Sequence, residues 1–449
     1  MSNPTKNKLI SAIDLGSSKI VTVMAQMTSD ALSGTESMNI VGVSSVVSRG
    51  IKKGHIIDIE EAVEAITSSV EAAERMAGYS IESAYVSLGG DYISSQNSHG
   101  VVAVSDSKGE ISFEDVTRVI EAASAVSLPS SREIIHVLPR EYIVDGEAGI
   151  RDPVGMSGVR LEVETHLVTA SAVTVKNLRK AINELGINVN EFVFTGLAAS
   201  EAVLTETEKE LGCILIDLGD NTVSVAVFIE SSLYYSTVIP IGARYVTKDL
   251  ALGLKVQFEA AEKIKLALSE QNQNFKNKFL KTMSEETDTN NEDKKNKKTQ
   301  NQDEFQFKEF GVEENKKVSK KTLVEGIIRP RLDEIFNLVK MQIEKDDLIS
   351  RIPAGVILTG GGSKTVGVVD SAKKIFHLPV RLGQPSGFGG LVDDILDPSY
   401  AVSLGLILYA AKYGNYQSSV KAPFLVNKFK FIKFGFFDQI VRFIKEFFP

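Results

Sequence analysis

Two stretches far apart in this sequence share one layout. They are "LISAIDLGSSKIVTVMA", which begins at Leu9, and "CILIDLGDNTVSVAVF", which begins at Cys213. In each, an apolar run with strand character ends at Asp-Leu-Gly, small polar residues follow, and a second apolar run returns. A single hairpin of this kind is an ordinary turn, but two in one chain indicate a duplicated fold whose paired loops face one ligand.

The rest of the chain fits a large α/β protein. Its 449 residues are enough for two or three domains, and helix and strand patterns alternate along most of the sequence. The net charge of −8 argues against nucleic-acid binding, which usually needs a basic face. Cys213 is the single cysteine, which excludes a disulfide framework, and the five histidines lack metal-ligand spacing, so we expect them to be structural or surface residues.

The N-terminus passes from a short polar tail directly into a strand and lacks the apolar core of a signal peptide. No run approaches the roughly 18–20 apolar residues that a membrane-spanning helix needs. We therefore expect a cytoplasmic protein.

The paired turns carry residue types that bind a metal-bound phosphate. Asp14 and Asp217, each at the end of a strand, can hold a hydrated divalent cation. Gly16 and Gly219 let the backbone turn tightly and approach phosphate oxygens. The candidates to cradle these oxygens are Ser17, Ser18 and Lys19 in the first turn, and Asp220, Asn221 and Thr222 in the second.

A third turn, in "ILTGGGSKT", leaves a strand and enters a predicted helix. Its site candidates are Gly360, Gly361, Gly362 and Ser363. Glycines at this place allow close approach of a flat or charged ligand. The spacing is not that of a Walker loop, because serine rather than glycine precedes Lys364, and Thr365 stands where a dinucleotide fingerprint has its third glycine. Close packing of the helix on the strand is the alternative explanation.

Together, the two hairpins and the glycine loop resemble the actin, Hsp70 and sugar-kinase superfamily. That fold has two halves related by duplication, each with a phosphate hairpin, and an adenosine-binding glycine loop in the second half. The resemblance implies ATP and magnesium as cofactors. The stretch "FEAAEKIKLAL" resembles the superfamily's adenosine-contacting helix, with Glu262 and Lys265 one turn apart on one face. A solvated ion pair is the alternative for these two residues.

Within the superfamily, the chain resembles the FtsA family of bacterial cell-division proteins along nearly its whole length. Segments that carry this resemblance include "VVSRGIKKGHIIDIEEAVEAI", "FTGLAASEAVLTETEKELG", "VIPIGARYVTKDLA", "GVILTGGGSKTVGV" and "AVSLGLILYA". The stretch "DPVGMSGVRLE" is especially diagnostic, because the family carries there a subdomain inserted in the first half. We therefore expect an actin-like duplicated ATPase fold with an inserted FtsA-type subdomain and a C-terminal amphipathic helix.

The resemblance also divides the chain into parts. The first actin-like core subdomain comprises 1–81, 165–200 and 380–413, the inserted subdomain 82–164, the second core subdomain 201–250 and 346–379, the small subdomain of the second half 251–345, a linker 414–430, and the membrane-targeting helix 431–449. Residues about 281–305 are almost free of aliphatic side chains and rich in charge, which predicts a disordered surface insertion. A tail for a charged partner is the alternative there.

The second hairpin departs from the family's pattern. The family usually has Gly-Gly-Gly-Thr or similar, whereas Asp220 and Asn221 occupy two of these positions here, and Ser224 replaces the acid that usually follows. A carboxylate about 4 Å from a phosphate costs several kcal/mol at an effective dielectric constant near 20, unless a cation intervenes or the side chain turns away. We therefore expect weakened nucleotide binding and weak ATPase activity at most. Glu201 is the candidate to orient an attacking water.

The last residues predict a helix that lies on a membrane surface. On a helical wheel, "FGFFDQIVRFIKEFF" separates apolar residues from polar ones. From Lys421 onward, six basic residues stand against two acidic ones, and aromatic, basic, amphipathic helices bind anionic lipid surfaces. A helix docked on the protein's own core is the alternative. The membrane-contacting candidates are Phe436, Phe437, Ile440, Val441, Arg442, Phe443, Ile444, Lys445, Phe447 and Phe448.

The FtsA resemblance implies a protein that polymerises and tethers the FtsZ ring to the cytoplasmic face of the bacterial inner membrane at the division septum. Its implied partners are the FtsZ C-terminal tail, further copies of itself, anionic lipid and other divisome proteins, and no nucleic acid. Arg331 and Glu334, in "RPRLDEIF", are the candidates for binding the FtsZ tail, with a surface ion pair as the alternative.

Two other functions stay open. One is a small-molecule phosphotransferase of the same superfamily, for which the sequence offers no convincing catalytic acid. The other is a different bacterial actin-like scaffold, for pilus assembly or cell shape, against which the inserted-subdomain motif speaks.

Overall fold

The computed structural model describes residues 8–29, 36–270, 304–306, 317–344, 347–390 and 395–414. Most of the predicted charged insertion, nearly all of the predicted linker and the whole predicted membrane helix lie outside these residues.

Strands and helices alternate along the described chain. The strands are β1 Lys8–Leu15, β2 Lys19–Ser29, β3 Glu36–Val47, β4 Ile51–Lys52, β5 His55–Ile56, β6 Ser83–Leu88, β7 Ser94–Ala103, β8 Arg132–Val144, β9 Glu147–Ile150, β10 Arg160–Ser171, β11 Asn188–Phe194, β12 Cys213–Leu218, β13 Val223–Ile229, β14 Ser232–Ile239, β15 Glu304–Gln306, β16 Lys317–Ser319, β17 Val356–Thr359, β18 Val380–Leu382 and β19 Gly389–Gly390. The helices are α1 Ile59–Ala77, α2 Phe113–Ser124, α3 Ala172–Asn183, α4 Thr195–Val203, α5 Glu206–Leu211, α6 Arg244–Leu254, α7 258–270, α8 Lys320–Leu323, α9 Arg329–Glu344, α10 Val368–Phe376 and α11 Ala401–Tyr413.

Two sheets with the same connectivity form the two halves. The first has the strand order β11-β6-β1-β2-β3-β19, and the second has the order β14-β13-β12-β17-β18. Each contains an antiparallel meander, β1-β2-β3 or β12-β13-β14, whose first strand also pairs in parallel with β6 or β17. Asp14 pairs with Val21 and Asp217 with Ser224, so the two acids occupy equivalent positions in the two hairpins. The duplication predicted from the sequence is confirmed.

Strand β12 separates two apolar cores, which explains why its sequence is apolar without alternation. Every residue of the strand is buried. Cys213 and Leu215 pack into the core of the first half, whereas Ile214 and Ile216 pack into the core of the second half. Successive side chains of a strand point to opposite faces, so a strand buried on both faces is apolar at consecutive positions, here Cys213 to Ile216, and Asp217 follows where the strand reaches the hairpin turn.

The inserted unit has its own sheet and core. Its strand order is β7-β10-β8-β9, and helix α2 covers one face, so that Val119 of the helix and Leu161 of β10 belong to one apolar core. The unit also contacts β14 of the second half, where the Ser95 hydroxyl donates to the Ser236 carbonyl oxygen at 2.6 Å. His166 lies buried in this junction, with Nε2 2.8 Å from the Ser236 hydroxyl, and burial lowers its pKa to about 3. The subdomain bounds predicted from the sequence stay a prediction.

A π-helical turn, Val324–Ile328, joins α8 to α9 directly before Pro330. Proline lacks a backbone N–H and crowds the carbonyl of the preceding turn, so an uninterrupted α-helix would be strained at this point. The wider turn lets the chain pass the proline while remaining helical.

Candidate functional site

The two hairpin turns and the glycine loop line one cavity of about 590 Å³. This volume lies within the range of small-ligand sites. The sequence-predicted residues that line it are Asp14, Gly16, Ser17, Ser18, Lys19, Asp217, Gly219, Asp220, Thr222, Glu262, Lys265, Gly360, Gly361 and Gly362. Both halves of the fold therefore contribute to one site, as the paired hairpins predict.

Two of the predicted residues stand behind the cavity wall and brace it. The Asn221 side-chain amide donates to the Asp220 carboxylate at 2.9 Å. The Ser363 hydroxyl donates to the Gly360 carbonyl oxygen at 2.7 Å. Both residues are buried, so they fix the shape of the turns instead of facing the cavity.

The two hairpin acids in the cavity, Asp14 and Asp217, resist ionisation. Asp217 is 9% exposed, and burial together with the nearby charge of Asp14 raises its pKa to about 7. Burial also raises the pKa of Asp14, against the opposing influence of the Ser87 hydroxyl and the Lys19 ammonium. A cation placed between these carboxylates would relieve the cost of their charges.

Asp14 and Asp217 suit a hydrated magnesium ion that a bound ligand also contacts. Among the described residues, no group of three or more His, Cys, Asp and Glu side chains could enclose a metal ion. Asp14 and Asp217 could supply two of its contacts, and magnesium usually keeps several waters and takes further oxygens from phosphates.

The glycine loop packs its backbone directly against the second acid. Gly360 has φ 83° and ψ 167°, a conformation essentially reserved for glycine, and a Cβ there would lie 2.2 Å from Asp217 Oδ1. A Cβ at Gly362 would lie 2.5 Å from the Leu218 side chain, whereas at Gly361 the nearest atom would be 3.6 Å away. Helix–strand packing therefore explains two of the glycines, and Gly361 presents its backbone to the cavity.

Asp220 reaches the cavity but has a cationic neighbour. Its carboxylate lies 3.5 Å from Nη1 of Arg244, at the start of α6. Burial raises the pKa of Asp220, while Arg244 and Lys265 act in the opposite direction. A cation therefore lies beside Asp220, and no motif in the sequence pointed to Arg244.

Helix α7 contributes an ion pair whose lysine is buried and whose glutamate is partly exposed. The Lys265 ammonium lies 2.8 Å from Glu262 Oε2 and donates to the Thr247 hydroxyl at 2.9 Å. Lys265 is buried, with 6% of its surface exposed. The two residues form the ion pair noted in the sequence, with Lys265 held on the cavity side by a second contact to Thr247.

Some residues that line the cavity were not among the predicted site residues. Thr195, the first residue of α4, and Ser224 share a hydrogen bond of 2.8 Å between their hydroxyl oxygens. Both line the cavity, as do Lys364 and Ser399. Ser224, noted in the sequence as the replacement of an acid, lies opposite Asp217 in the hairpin register. The packing of whole elements brings Thr195 and Ser399 to the site.

Glu201 is not among the residues that line the cavity. Its two carboxylate oxygens lie 3.2 Å from the Lys209 ammonium and 3.1 Å from the Lys412 ammonium. Its side chain is 8% exposed, so this acid belongs to a buried ion-pair cluster among α4, α5 and α11. The placement gives no support to the predicted role of orienting a water molecule.

Arg331 and Glu334 lie on α9, outside the set of residues that line the cavity. The Arg331 guanidinium binds both oxygens of Asp249 on α6, at 2.5 and 3.0 Å, and also contacts Glu334. Asp249 raises the pKa of Arg331. The ion pair expected as the alternative is present, and it also fastens α9 to α6.

The membrane-contacting candidates lie outside the described residues. Among the helices that are described, none combines the length and apolar character needed to cross a membrane.

Comparisons with known proteins agree with this architecture. A family described as "SHS2 domain inserted in FTSA" matches residues 90–169, and one described as "Cell division protein FtsA" matches residues 214–405. Cell division protein FtsA of Pseudomonas aeruginosa is 36% identical over 409 residues, covering 91% of each chain. That of Borreliella burgdorferi is 38% identical over 401 residues, covering 89% of this chain and 90% of the relative.

A solved structure, the PilM-PilN type IV pilus biogenesis complex, has a chain that superposes with a TM-score of 0.59 at 13% identity. The match covers 89% of this chain and 97% of the other. At that identity the likeness concerns the fold alone. The fold class expected from the sequence, an actin-like duplicated fold with an inserted FtsA-type subdomain, is confirmed.

Proposed function

Because the chain belongs to the FtsA family of cell-division proteins, we propose that it is an ATP-binding, actin-like scaffold of the division machinery. In this proposal it polymerises and tethers the FtsZ ring to the cytoplasmic face of the inner membrane at the septum. The observation that carries the nucleotide part is the single cavity lined by turns from both halves.

Each part of the cavity has a place in this proposal. Asp14 and Asp217 hold hydrated magnesium, and the backbone N–H groups of the two hairpin turns receive the phosphate oxygens. The magnesium ion neutralises phosphate charge when it is bound. Helix α7 and the open backbone at Gly361 flank the adenosine. The burial of the cavity favours this arrangement, because the attraction of magnesium for carboxylates and phosphates is stronger in a site with little water.

Hydrolysis is slow in this proposal. The position opposite Asp217 carries the Ser224 hydroxyl in place of an acid, and Glu201 is engaged by two lysines away from the cavity. A serine hydroxyl is a poor base, and Glu201 lies outside the cavity lining, so neither group readily takes a proton from water attacking a phosphate held by the hairpins. ATP then acts mainly by holding the two halves together in a form that assembles.

Membrane attachment is assigned to residues 431–449 from their sequence. Large apolar side chains contribute about 1.5–3 kcal/mol each on burial, while each basic residue near an anionic surface adds about 1 kcal/mol. Insertion of apolar side chains therefore contributes most of the free energy of membrane binding, and attraction between basic residues and anionic lipid adds a smaller part. A single helix binds reversibly, and a filament that displays many helices binds more tightly by avidity.

Liposome co-sedimentation with magnesium and ATP tests this assignment. The full chain should pellet with anionic vesicles, and a chain ending at residue 414 should stay in the supernatant while still binding ATP. Ile444→Glu, on the apolar half of the wheel, should abolish pelleting, whereas the matched control Gln439→Glu, on the polar half, should retain most of it. Equal pelleting of the full and shortened chains would refute membrane attachment through this segment.

The FtsZ tail is proposed to dock on the surface that includes α9. Glu334 is the cleaner position to test, because its side chain is 53% exposed, whereas Arg331 also holds α9 to Asp249. Glu334→Lys should weaken binding of an FtsZ C-terminal peptide by about twofold to fivefold, the range of an exposed charged contact. Glu344→Lys on the same helix is the control, and equal affinity in both variants would exclude this part of α9.

A further inference from the structure

A short turn before the last described helix contacts the phosphate hairpin of one half and the glycine loop of the other. The 3₁₀ turn Pro398–Tyr400 leads directly into α11. The Lys19 ammonium donates to the Ser399 hydroxyl at 3.0 Å, and the Lys364 ammonium lies 2.7 Å from Asp397 Oδ2. The turn therefore holds one lysine from each half at the edge of the cavity.

The Lys19 ammonium also sits over the ring of Tyr400. Its Nζ atom is 3.6 Å from the ring centroid, well inside the roughly 6 Å within which the ring quadrupole attracts a cation. Lys19 lines the cavity, but Tyr400 is not among the residues that line it. The ring thus stands behind the lysine, on the side away from the ligand space.

Lys19 needs such support because it is partly buried. Burial lowers its pKa, and the nearby Lys364 acts in the same direction, while the charges of Asp14 and Asp397 raise it. These two carboxylates have other roles: Asp14 faces the proposed cation, and Asp397 accepts bonds from the Lys364 ammonium and the Ser399 backbone N–H. Within the described chain, the direct contacts of the Lys19 ammonium are the Ser399 hydroxyl and the Tyr400 ring.

An aromatic ring suits this position better than a third carboxylate would. It attracts the ammonium without adding a negative charge that would repel phosphate. The ring also contacts only one side of the ammonium. Because a lysine ammonium carries three N–H donors, others remain to bind a ligand. A long, flexible side chain that is already fixed loses less entropy when it meets a ligand.

We propose that Tyr400 is a positioning residue for phosphate binding, which holds the Lys19 ammonium against the cavity wall so that bound ATP meets a charge already in place. The inference rests on the proposed nucleotide function of the same cavity. Tyr400 acts through Lys19 and does not contact the ligand itself.

Calorimetric titration of the full chain with magnesium and ATP tests the proposal. Tyr400→Leu should weaken ATP binding by about threefold to tenfold, the worth of a partly buried cation–ring contact. Tyr400→Phe keeps the ring and should stay within about twofold of the wild type. If Tyr400→Leu does not fold, Tyr400→Met supplies the non-aromatic variant, and thermal melting checks each variant.

A double-mutant cycle separates positioning from a merely structural role. In the Lys19→Met background, exchanging Tyr400 for leucine should leave ATP affinity unchanged, because the contact has already gone. An equal loss in both backgrounds would overturn the proposal, and so would unchanged or tighter binding by Tyr400→Leu alone. Failure of the wild-type chain to bind ATP would instead refute the nucleotide function.

Discussion

Replacing Asp217 by asparagine should stabilise the ligand-free protein at high pH and remove its use of magnesium. The side chain is buried beside Asp14, so its ionised form is costly until a cation arrives. Asparagine keeps the size and polarity of the side chain but carries no charge at any pH. The protein should thus gain stability at the point where it loses function, a common trade-off at binding sites.

The magnitude follows from the pKa of this one group. Its pKa rises from an ordinary 3.8 to about 7 in the folded protein, so ionising it costs the folded state about 4 kcal/mol. The unfolded chain gives up this proton at lower pH than the folded chain does, so the stability of the wild type falls as pH rises from about 4 to about 7. Between about pH 5 and pH 8, the advantage of Asp217→Asn should grow by about 2–3 kcal/mol.

Urea unfolding without nucleotide or magnesium measures this difference. The wild type and Asp217→Asn should be compared near pH 5 and near pH 8, with Asp106→Asn, at an exposed aspartate of the inserted unit, as the matched control. The control should show no growing advantage between the two pH values. A constant difference between wild type and Asp217→Asn, or a less stable variant near pH 8, would refute the claim that this carboxylate is poised for a cation.

Three further changes test the geometry of the site and its surroundings. Gly360→Ala should lose about 2–3 kcal/mol in the free energy of unfolding, because the backbone conformation at this position suits only glycine. Gly361→Ala should stay within about 0.5 kcal/mol of the wild type in the same urea titration, and similar losses in the two variants would contradict this difference between the two glycines. Lys209→Met should lower the free energy of unfolding by about 3 kcal/mol, because it breaks the buried ion pair with Glu201. Glu206→Gln, which removes the exposed partner of Lys209, should lower it by about 0.5 kcal/mol or less, and equal urea midpoints for the two variants would show that the buried pair adds no stability. Asp220→Asn should tighten binding of magnesium–ATP by about threefold to tenfold in calorimetry by removing a like charge near the phosphates, and unchanged or weaker binding would count against the proposed phosphate position.

The strongest features of the fold could be predicted because they repeat. Two Asp-Leu-Gly hairpins predicted two equivalent sheets, and Asp14 and Asp217 indeed share one register position. The triple glycine marked the third wall of the cavity for the same local reason, since a turn that comes so close to Asp217 requires a residue without a side chain. Features set by local backbone geometry leave a pattern that can be read from the chain.

The rest of the site depends on how whole elements pack. Arg244 reaches Asp220 only because α6 begins beside the second hairpin, and Tyr400 reaches Lys19 across almost the full length of the chain. No spacing in the sequence links such pairs. Glu201 illustrates the same dependence, because its role was predicted from its segment, whereas the packing of three helices places its side chain in an ion-pair cluster with Lys209 and Lys412.

A structure determined with magnesium and ATP at saturating concentration would show whether the cavity between the two halves is the nucleotide site. We expect a magnesium ion between Asp14 and Asp217, phosphates against the two hairpin turns, and adenosine between α7 and Gly361. A nucleotide bound elsewhere on the protein, or an empty cavity under these conditions, would contradict this expectation.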